Sequence, residues 1–132
     1  MFGLVALVGV AGCGDDEDDD AVSASDIEGR AFLATETEGF TMAAGSEITI
    51  SFTEDMLSVE TGCNNVTGSY TIENDVLTPG ELAQTLIACD AELTAQEQWI
   101  NDLLGSNPSI ELDGNELELS SGENSITFGE TG

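Results

Sequence analysis

The chain has 132 residues, which is enough for one domain with a modest core and too few for two ordinary domains. It carries 27 Asp and Glu residues against one basic residue, Arg30, so its formal net charge is −26. Because nucleic-acid binding needs cations that displace the counterions of phosphates, this charge excludes DNA and RNA as partners. The sequence also lacks the glycine-rich motifs of phosphate-binding loops, which argues against a nucleotide ligand.

The absence of His removes most common catalytic sites. Ser-His-Asp and Cys-His arrangements lack their imidazole base, and the usual zinc sites lose their commonest ligand. Carboxylate-pair catalysis and calcium binding remain, but no EF-hand loop with its spaced acidic residues and closing Glu is present. We therefore predict no catalytic residue, no metal site and no cofactor.

The acidity itself has two interpretations. It can keep the protein soluble in a salty milieu, where screening weakens self-repulsion, or it can form a surface that binds cations or a partner. The acidic residues are spread along the whole chain, which favours the first interpretation.

The N-terminal residues resemble the signal of an exported lipoprotein. Phe2 to Val10 is almost continuously apolar, and Val10-Ala11-Gly12-Cys13 has the form of a lipobox. The run is shorter than the about 20 residues that span a bilayer, but it suits a signal peptide. We predict a signal peptide at residues 1–12 and a lipid on Cys13. No basic residue precedes the run, so an upstream start is one alternative, and a buried strand ending at a core Cys is another.

An acidic run follows at once, from Asp15 to Asp20. Such a run repels itself and stays extended, so we predict a disordered, lipid-anchored tether at residues 13–28. Because each buried methylene contributes about 0.8 kcal/mol, several acyl chains on Cys13 would hold the protein to its membrane. The expected location is the extracytoplasmic side of a bacterial membrane.

The lipid assignment simplifies the cysteine count. If Cys13 is acylated, Cys63 and Cys89 remain as a pair in an oxidising compartment. A disulfide between them would stabilise the fold by about 3.5 kcal/mol on the chain-entropy model. Two buried free thiols are the alternative.

Period-two patterns predict short strands from Arg30 onward. Glu47 to Thr53 alternates strictly, and Asp113-Gly114-Asn115 is typical of a hairpin turn. The other predicted strands are Ala31 to Glu36, Thr67 to Ile72, Ile110 to Leu112, Leu117 to Leu119 and Ser125 to Phe128.

One helix interrupts the strands. The segment from Thr94 to Glu97 has the form of a capping box, and Gly105 supplies a stop. The apolar residues at one-turn spacing, a predicted core face, are Trp99, Ile100, Leu103 and Leu104. We predict a mainly β fold with one α-helix (α+β), a small antiparallel barrel or sandwich over residues 29–130.

Several short motifs occur in the order seen in a known family. They are Gly62-Cys63-Asn64, Gly68-Ser69-Tyr70, Thr85 shortly before Ala88-Cys89, and an acidic helix around Glu97. In this the sequence resembles the META domain, also called HslJ-like, from about Gly29 to Phe128. The resemblance implies a mostly β domain with one helix, often found on envelope lipoproteins and sometimes linked to stress responses, with no established activity. Phe32 stands where the family usually has Trp, and the basic residues common in relatives are absent.

The motif residues also have a physical interpretation. Gly62 and Asn64 tolerate left-handed backbone angles and can turn a strand end while Cys63 points inward, and Gly68 can permit a bulge before Tyr70. The alternative is a binding rim formed by Asn64, Asn65 and Thr67.

These patterns predict a non-enzymatic cell-envelope lipoprotein with a binding, envelope-stress or integrity role. Its expected partners are the membrane, through the lipid, and an unidentified envelope protein or glycan. A protease-inhibitor-like or other protein-binding module is one alternative. A carboxylate-pair glycoside hydrolase is another, although no pair of acids stands out.

Overall fold

The computed structural model describes residues 21–131, so the predicted signal peptide, Cys13 and the acidic run lie outside the described residues. Two helices and eight strands occur within them. The helices are α1 (Ala24–Ile27) and α2 (Ala91–Gly105). The strands are β1 (Ala31–Glu38), β2 (Thr49–Thr53), β3 (Met56–Glu60), β4 (Asn65–Glu73), β5 (Val76–Gln84), β6 (Ser109–Asp113), β7 (Glu116–Ser121) and β8 (Asn124–Glu130).

The strands form a closed antiparallel barrel in which each strand pairs with its neighbour in sequence and β8 returns to β1. The mainly β, antiparallel prediction is confirmed, and the barrel decides between the two architectures that the sequence left open. Closure gives every strand a partner on each side, which shortens the exposed edges that could recruit other chains. The junction between β5 and β6 is the shortest, with Val76 opposite Ser109 as its register pair.

Alternating burial accounts for the strands that the sequence predicted. Ile48, Ile50 and Phe52 are buried while the residues between them are more exposed, as expected where one face of a sheet covers the core. The hairpin between β6 and β7 turns at Gly114, whose φ of 63° suits glycine. Strands β3 and β5 were not predicted, and β5 contains Pro79-Gly80, a pair that ordinarily indicates a turn.

The register of β4 and β5 shifts between Gly68 and Tyr70, where the bulge was predicted, but the extra residue lies on β5: Gly80 and Glu81 together stand opposite Ser69. A Cβ atom at Gly68 would lie 2.5 Å from the main-chain oxygen of Glu81 and 2.7 Å from Cδ2 of Leu82. Only glycine therefore lets β4 and β5 approach each other this closely here.

Helix α2 begins earlier than predicted. Asp90 is its N-cap, and its carboxylate accepts a hydrogen bond from the main-chain nitrogen of Leu93 at 2.9 Å. The predicted capping box from Thr94 to Glu97 is therefore wrong, because the helix is already a turn long at Thr94 and Glu97 is buried. The predicted end at Gly105 is confirmed.

The predicted core face of α2 is confirmed for three of its residues. Ile100, Leu103 and Leu104 are buried and pack against barrel residues such as Ile50 and Leu119, with about 10 Å³ of free space between them. Close packing of this kind leaves no room for a ligand.

Trp99 lies at the edge of this face rather than within it. The side chain is partly buried, stacks on Phe40 with ring centroids 5.3 Å apart, and donates from Nε1 to Oδ1 of Asn124 at 3.2 Å. The ring therefore joins α2 to the loop between β1 and β2 and to the first residue of β8. None of the helices in the described part of the chain is long and apolar enough to cross a bilayer.

The folded domain starts before residue 29, which corrects the predicted boundary of the tether. Val22 and Ile27 are buried in the core, and the main-chain nitrogen of Val22 donates to Oδ1 of Asp75 at 2.8 Å. Burial of Ile27, the last residue of α1, in the core stabilises this segment, so residues 22–28 are part of the folded domain.

Candidate functional site

The loop between β3 and β4 is covalently tied to the segment that precedes α2. Cys63 and Cys89 form a disulfide with Cα atoms 6.0 Å apart, which confirms the predicted pair. The Cys63 side chain is partly exposed and directed at Cys89, so the prediction that it points into the core is wrong. The disulfide holds the ends of β4 and α2 together at one end of the barrel.

Gly62 makes the turn into this loop. Its φ is 97°, and a Cβ atom there would lie 2.8 Å from Nε2 of Gln96. Both observations require glycine. Asn64 has no positive φ, so the left-handed conformation predicted for it is wrong. Its side chain instead forms hydrogen bonds to the segment that follows β5.

Asn64 holds the segment that follows β5. Its Oδ1 accepts hydrogen bonds from Oγ1 of Thr85 at 2.8 Å and from the main-chain nitrogen of Ile87 at 2.7 Å. Its Nδ2 donates to the main-chain oxygen of Ile87 at 3.2 Å. The residue is 6% exposed, so Asn64 supports the surface largely from beneath, although Asn64 and Asn65 both line an open concavity there. The binding rim of Asn64, Asn65 and Thr67 therefore stays a prediction.

Glu97 lies under the same loop and is 7% exposed. Its Oε1 accepts from Oγ1 of Thr61 at 3.1 Å and from the main-chain nitrogen of Asn64 at 3.0 Å. Its Oε2 accepts from Nδ2 of Asn64 at 3.3 Å and from Nε2 of Gln84 at 3.0 Å. Burial of a carboxylate is costly without such donors, so these bonds make the position tenable.

Gln96 extends the buried network to another loop. Its Nε2 donates to the main-chain oxygen of Thr61 at 2.7 Å, and its Oε1 accepts from the main-chain nitrogen of Ala43 at 2.8 Å. Gln96 and Glu97 are adjacent on α2, and together they connect the helix to three other segments. Neither side chain is recognisable from the sequence as a buried group, because polar residues on a helix ordinarily face solvent.

The remaining motif residues lie elsewhere. Gly68 lies where the bulge of β5 comes close to β4, and Tyr70 is buried in the barrel with its ring 5.3 Å from that of Phe52. Burial raises the pKa of the Tyr70 hydroxyl. The family motif thus divides into a buried polar network around Asn64 and a packing position at Tyr70.

Two apolar side chains project from the surface above this network. Leu86 is 89% exposed and Ile87 is 61% exposed, in the irregular segment between β5 and α2. Beside them lies an open concavity of about 360 Å³. Its lining includes Glu47, Glu60, Gly62, Asn65, Thr85 and Ile87. Among the described residues, no three Cys, Asp or Glu side chains are grouped so as to hold a metal ion.

The comparison with family models identifies the domain. A model of the META domain matches residues 25–131. The chain belongs to the META domain family. This confirms the resemblance, and the match begins four residues before the predicted start at 29, in agreement with the ordered segment around Ile27.

Solved structures share the META fold of this chain. An NMR structure of a protein from Burkholderia xenovorans has a TM-score of 0.69 at 17% identity, covering 82% of this chain and 86% of that one. A second NMR structure has a TM-score of 0.70 at 24% identity, covering 82% of this chain and 94% of that one. No curated protein sequence matches the chain. At these identities the likeness concerns the fold alone.

Proposed function

We propose that this META domain protein is a non-enzymatic lipoprotein of the cell envelope, anchored through Cys13, that acts by binding another envelope component. The lipobox form of Val10-Ala11-Gly12-Cys13 supports the anchor. The acidic run from Asp15 to Asp20 supports a spacer that holds the barrel away from an anionic membrane surface. In this arrangement the barrel is a rigid body that presents its loops to the envelope.

The state of Glu97 is the observation that carries the non-enzymatic part of the proposal. Within residues 21–131 it is the one buried carboxylate. A general acid with a raised pKa needs a partly buried carboxyl group that can reach substrate, whereas the oxygens of Glu97 accept hydrogen bonds from Thr61, Asn64 and Gln84. These hydrogen bonds support a role for the carboxylate in holding the loop, which is in line with the proposal.

Lipid labelling tests the anchor. The full chain is expressed in a bacterium fed an alkyne analogue of palmitate, and the label is read after cell fractionation. We expect label and membrane association in the wild type, and neither in Cys13→Ser. Cys89→Ser is the matched control, since it removes a cysteine and leaves Cys13 in place. An unlabelled wild type, or label that persists in Cys13→Ser, would contradict the proposal.

Incubation with envelope glycans tests the absence of catalysis. The purified chain is mixed with peptidoglycan fragments, and bound and cleaved material are measured separately. We expect no cleavage products above those of a sample without protein. Cleavage that is lost in Glu97→Gln would instead identify a hydrolase and overturn the non-enzymatic proposal.

A further inference from the structure

The segment from Thr85 to Ala88 presents Leu86 and Ile87 to solvent in an irregular, braced conformation. Single exposed apolar residues are common on protein surfaces, but two adjacent ones on a fixed loop form a contact site. Met56, 44% exposed, is the other large exposed apolar residue among those described. It lies on β3, within the barrel sheet, and serves below as a control.

The loop is held on both sides of Leu86 by the same buried side chain. Thr85 and Ile87 both donate to Oδ1 of Asn64, at 2.8 Å and 2.7 Å, and Ile87 also accepts from Nδ2. Two residues after Ile87, Cys89 is fixed by its disulfide to Cys63. Because its neighbours are already ordered, the loop loses little conformational entropy when it binds.

We infer that the segment Thr85–Ala88 is a substrate-like inhibitory loop for an extracytoplasmic serine protease, with Leu86 entering an apolar specificity pocket. The inference deepens the proposed binding function and depends on it for the location of the partner. A serine protease cleft receives an exposed, extended segment of chain and selects it through the side chain that precedes the scissile bond. Leu86 is such a side chain: it is 89% exposed, while Thr85 before it is tied to Asn65 at the start of β4, its main-chain nitrogen donating to the main-chain oxygen of Asn65 at 3.1 Å.

The bracing also accounts for resistance to cleavage. The protease serine oxygen would attack the carbonyl carbon of Leu86, the bond to the nitrogen of Ile87 would break, and the serine proton would pass through the protease His to that nitrogen. Asn64 would still hold Thr85 and Ile87 after this step. The Ile87 amine would therefore remain beside the acyl-enzyme and attack it, which restores the peptide bond and returns the proton to the serine.

Charge around the loop favours a protein partner over a lipid surface. Glu47 and Glu60 line the concavity beside Ile87, and Asp90 follows the loop at the start of α2. Carboxylates at the rim are repelled by anionic headgroups, which works against insertion of Leu86 into a membrane. They are compatible with a protease whose cleft has a neutral or basic rim.

Inhibition kinetics test the inference. The Cys13→Ser chain, which needs no membrane, is titrated against chymotrypsin, whose pocket accepts Leu, and against trypsin, whose pocket accepts Lys. We expect inhibition of chymotrypsin that weakens about 30-fold or more in Leu86→Gly, the loss typical of a central contact residue. Leu86→Lys is expected to transfer inhibition to trypsin. Met56→Gly, the control for an exposed apolar side chain, is expected to inhibit like the parent chain.

A second variant tests the role of the bracing. Asn64→Ala, with its fold checked by circular dichroism, is expected to be cleaved between Leu86 and Ile87 faster than the parent chain. The inference is overturned if the parent chain does not inhibit chymotrypsin or is cleaved as quickly as an unfolded substrate. It is also overturned if the Leu86→Gly variant inhibits chymotrypsin as strongly as the parent chain does. Binding to phospholipid vesicles that depends on Leu86, without inhibition, would also overturn it. Failure of lipid labelling at Cys13 leaves this assay unaffected, so the two proposals fail separately.

Discussion

Glu97 accepts a hydrogen bond from the main-chain nitrogen of Asn64 at 3.0 Å across a sequence separation of 33 residues. This contact joins the middle of α2 to the loop that follows β3. Asn64 in turn holds Ile87 through both of its main-chain polar groups. The exposed loop is therefore supported by a chain of hydrogen bonds that begins on the helix.

Glu97→Gln is expected to destabilise the domain by about 1–3 kcal/mol. Each oxygen of the carboxylate accepts hydrogen bonds. In Gln the amide nitrogen replaces one of these oxygens, and because it is itself a donor it cannot accept the hydrogen bonds made there. Urea unfolding measures the change. Glu111→Gln is the matched control, because Glu111 is exposed and lies opposite Glu118, so its neutralisation relieves a like-charge pair. Equal urea midpoints for Glu97→Gln and wild type would disprove a supporting role for Glu97.

The ion pair between Arg30 and Glu130 predicts a pH dependence in the acid range. The guanidinium binds both carboxylate oxygens, at 3.0 Å and 2.7 Å, and this hydrogen bonding lowers the pKa of Glu130. The folded-state pKa therefore lies below the unfolded-state pKa of about 4.3. The stabilisation is present above the unfolded-state value and is lost as the pH falls through the folded-state value.

In Arg30→Gln the pKa of Glu130 is expected to rise toward its ordinary value, which NMR titration of the carboxylate measures. Arg30→Lys keeps the charge but loses the two-pronged geometry, so an intermediate pKa is expected for it. A Glu130 titration that is identical in all three proteins would show that Arg30 does not control this group.

Two glycines with different surroundings are expected to respond oppositely to alanine. Gly68→Ala would place a Cβ atom 2.5 Å from a main-chain oxygen of the neighbouring strand, so we expect a loss of about 1–3 kcal/mol. Gly105→Ala meets nothing within 4 Å at the end of α2 and is expected to be neutral or to stabilise by up to about 1 kcal/mol. Thermal unfolding compares the two. If Gly105→Ala melted at a lower temperature than Gly68→Ala, the close approach of β5 to Gly68 would not be what limits substitution there.

The charge of −26 predicts a strong dependence of stability on salt. Raising the ionic strength from about 0.1 M to about 1 M shortens the screening length from about 10 Å to about 3 Å, which weakens repulsion among the carboxylates. We expect a higher melting temperature in molar NaCl than in dilute buffer. A sucrose solution of equal osmolality is the control, because sucrose is excluded from the protein surface but does not screen charge. A rise in melting temperature that is larger in NaCl than in sucrose is therefore due to screening. Identical melting temperatures at the two salt concentrations would show that self-repulsion does not limit stability.

The sequence by itself determined the strands with clear alternation and the pairing of two cysteines. Ile48, Ile50 and Phe52 recur at the period of a strand, and local periodicity depends only on neighbouring residues. The Cys63–Cys89 pair followed from the assignment of the first cysteine to the lipid, an assignment that lies outside the described residues. Strand β5 escaped prediction because Pro79-Gly80 indicates a turn, whereas in the barrel these residues continue the strand through a bulge at Gly80 and Glu81.

The tertiary structure alone decided what the motif residues do. Nothing local to Glu97 indicates burial, because its donors come from a loop and a strand that are distant in sequence. Likewise Asn64 has the residue type of a turn, yet its function is set by Ile87, which the barrel brings within 2.7 Å. Closure of the barrel places these segments together, and that long-range arrangement is a property no window of neighbouring residues contains.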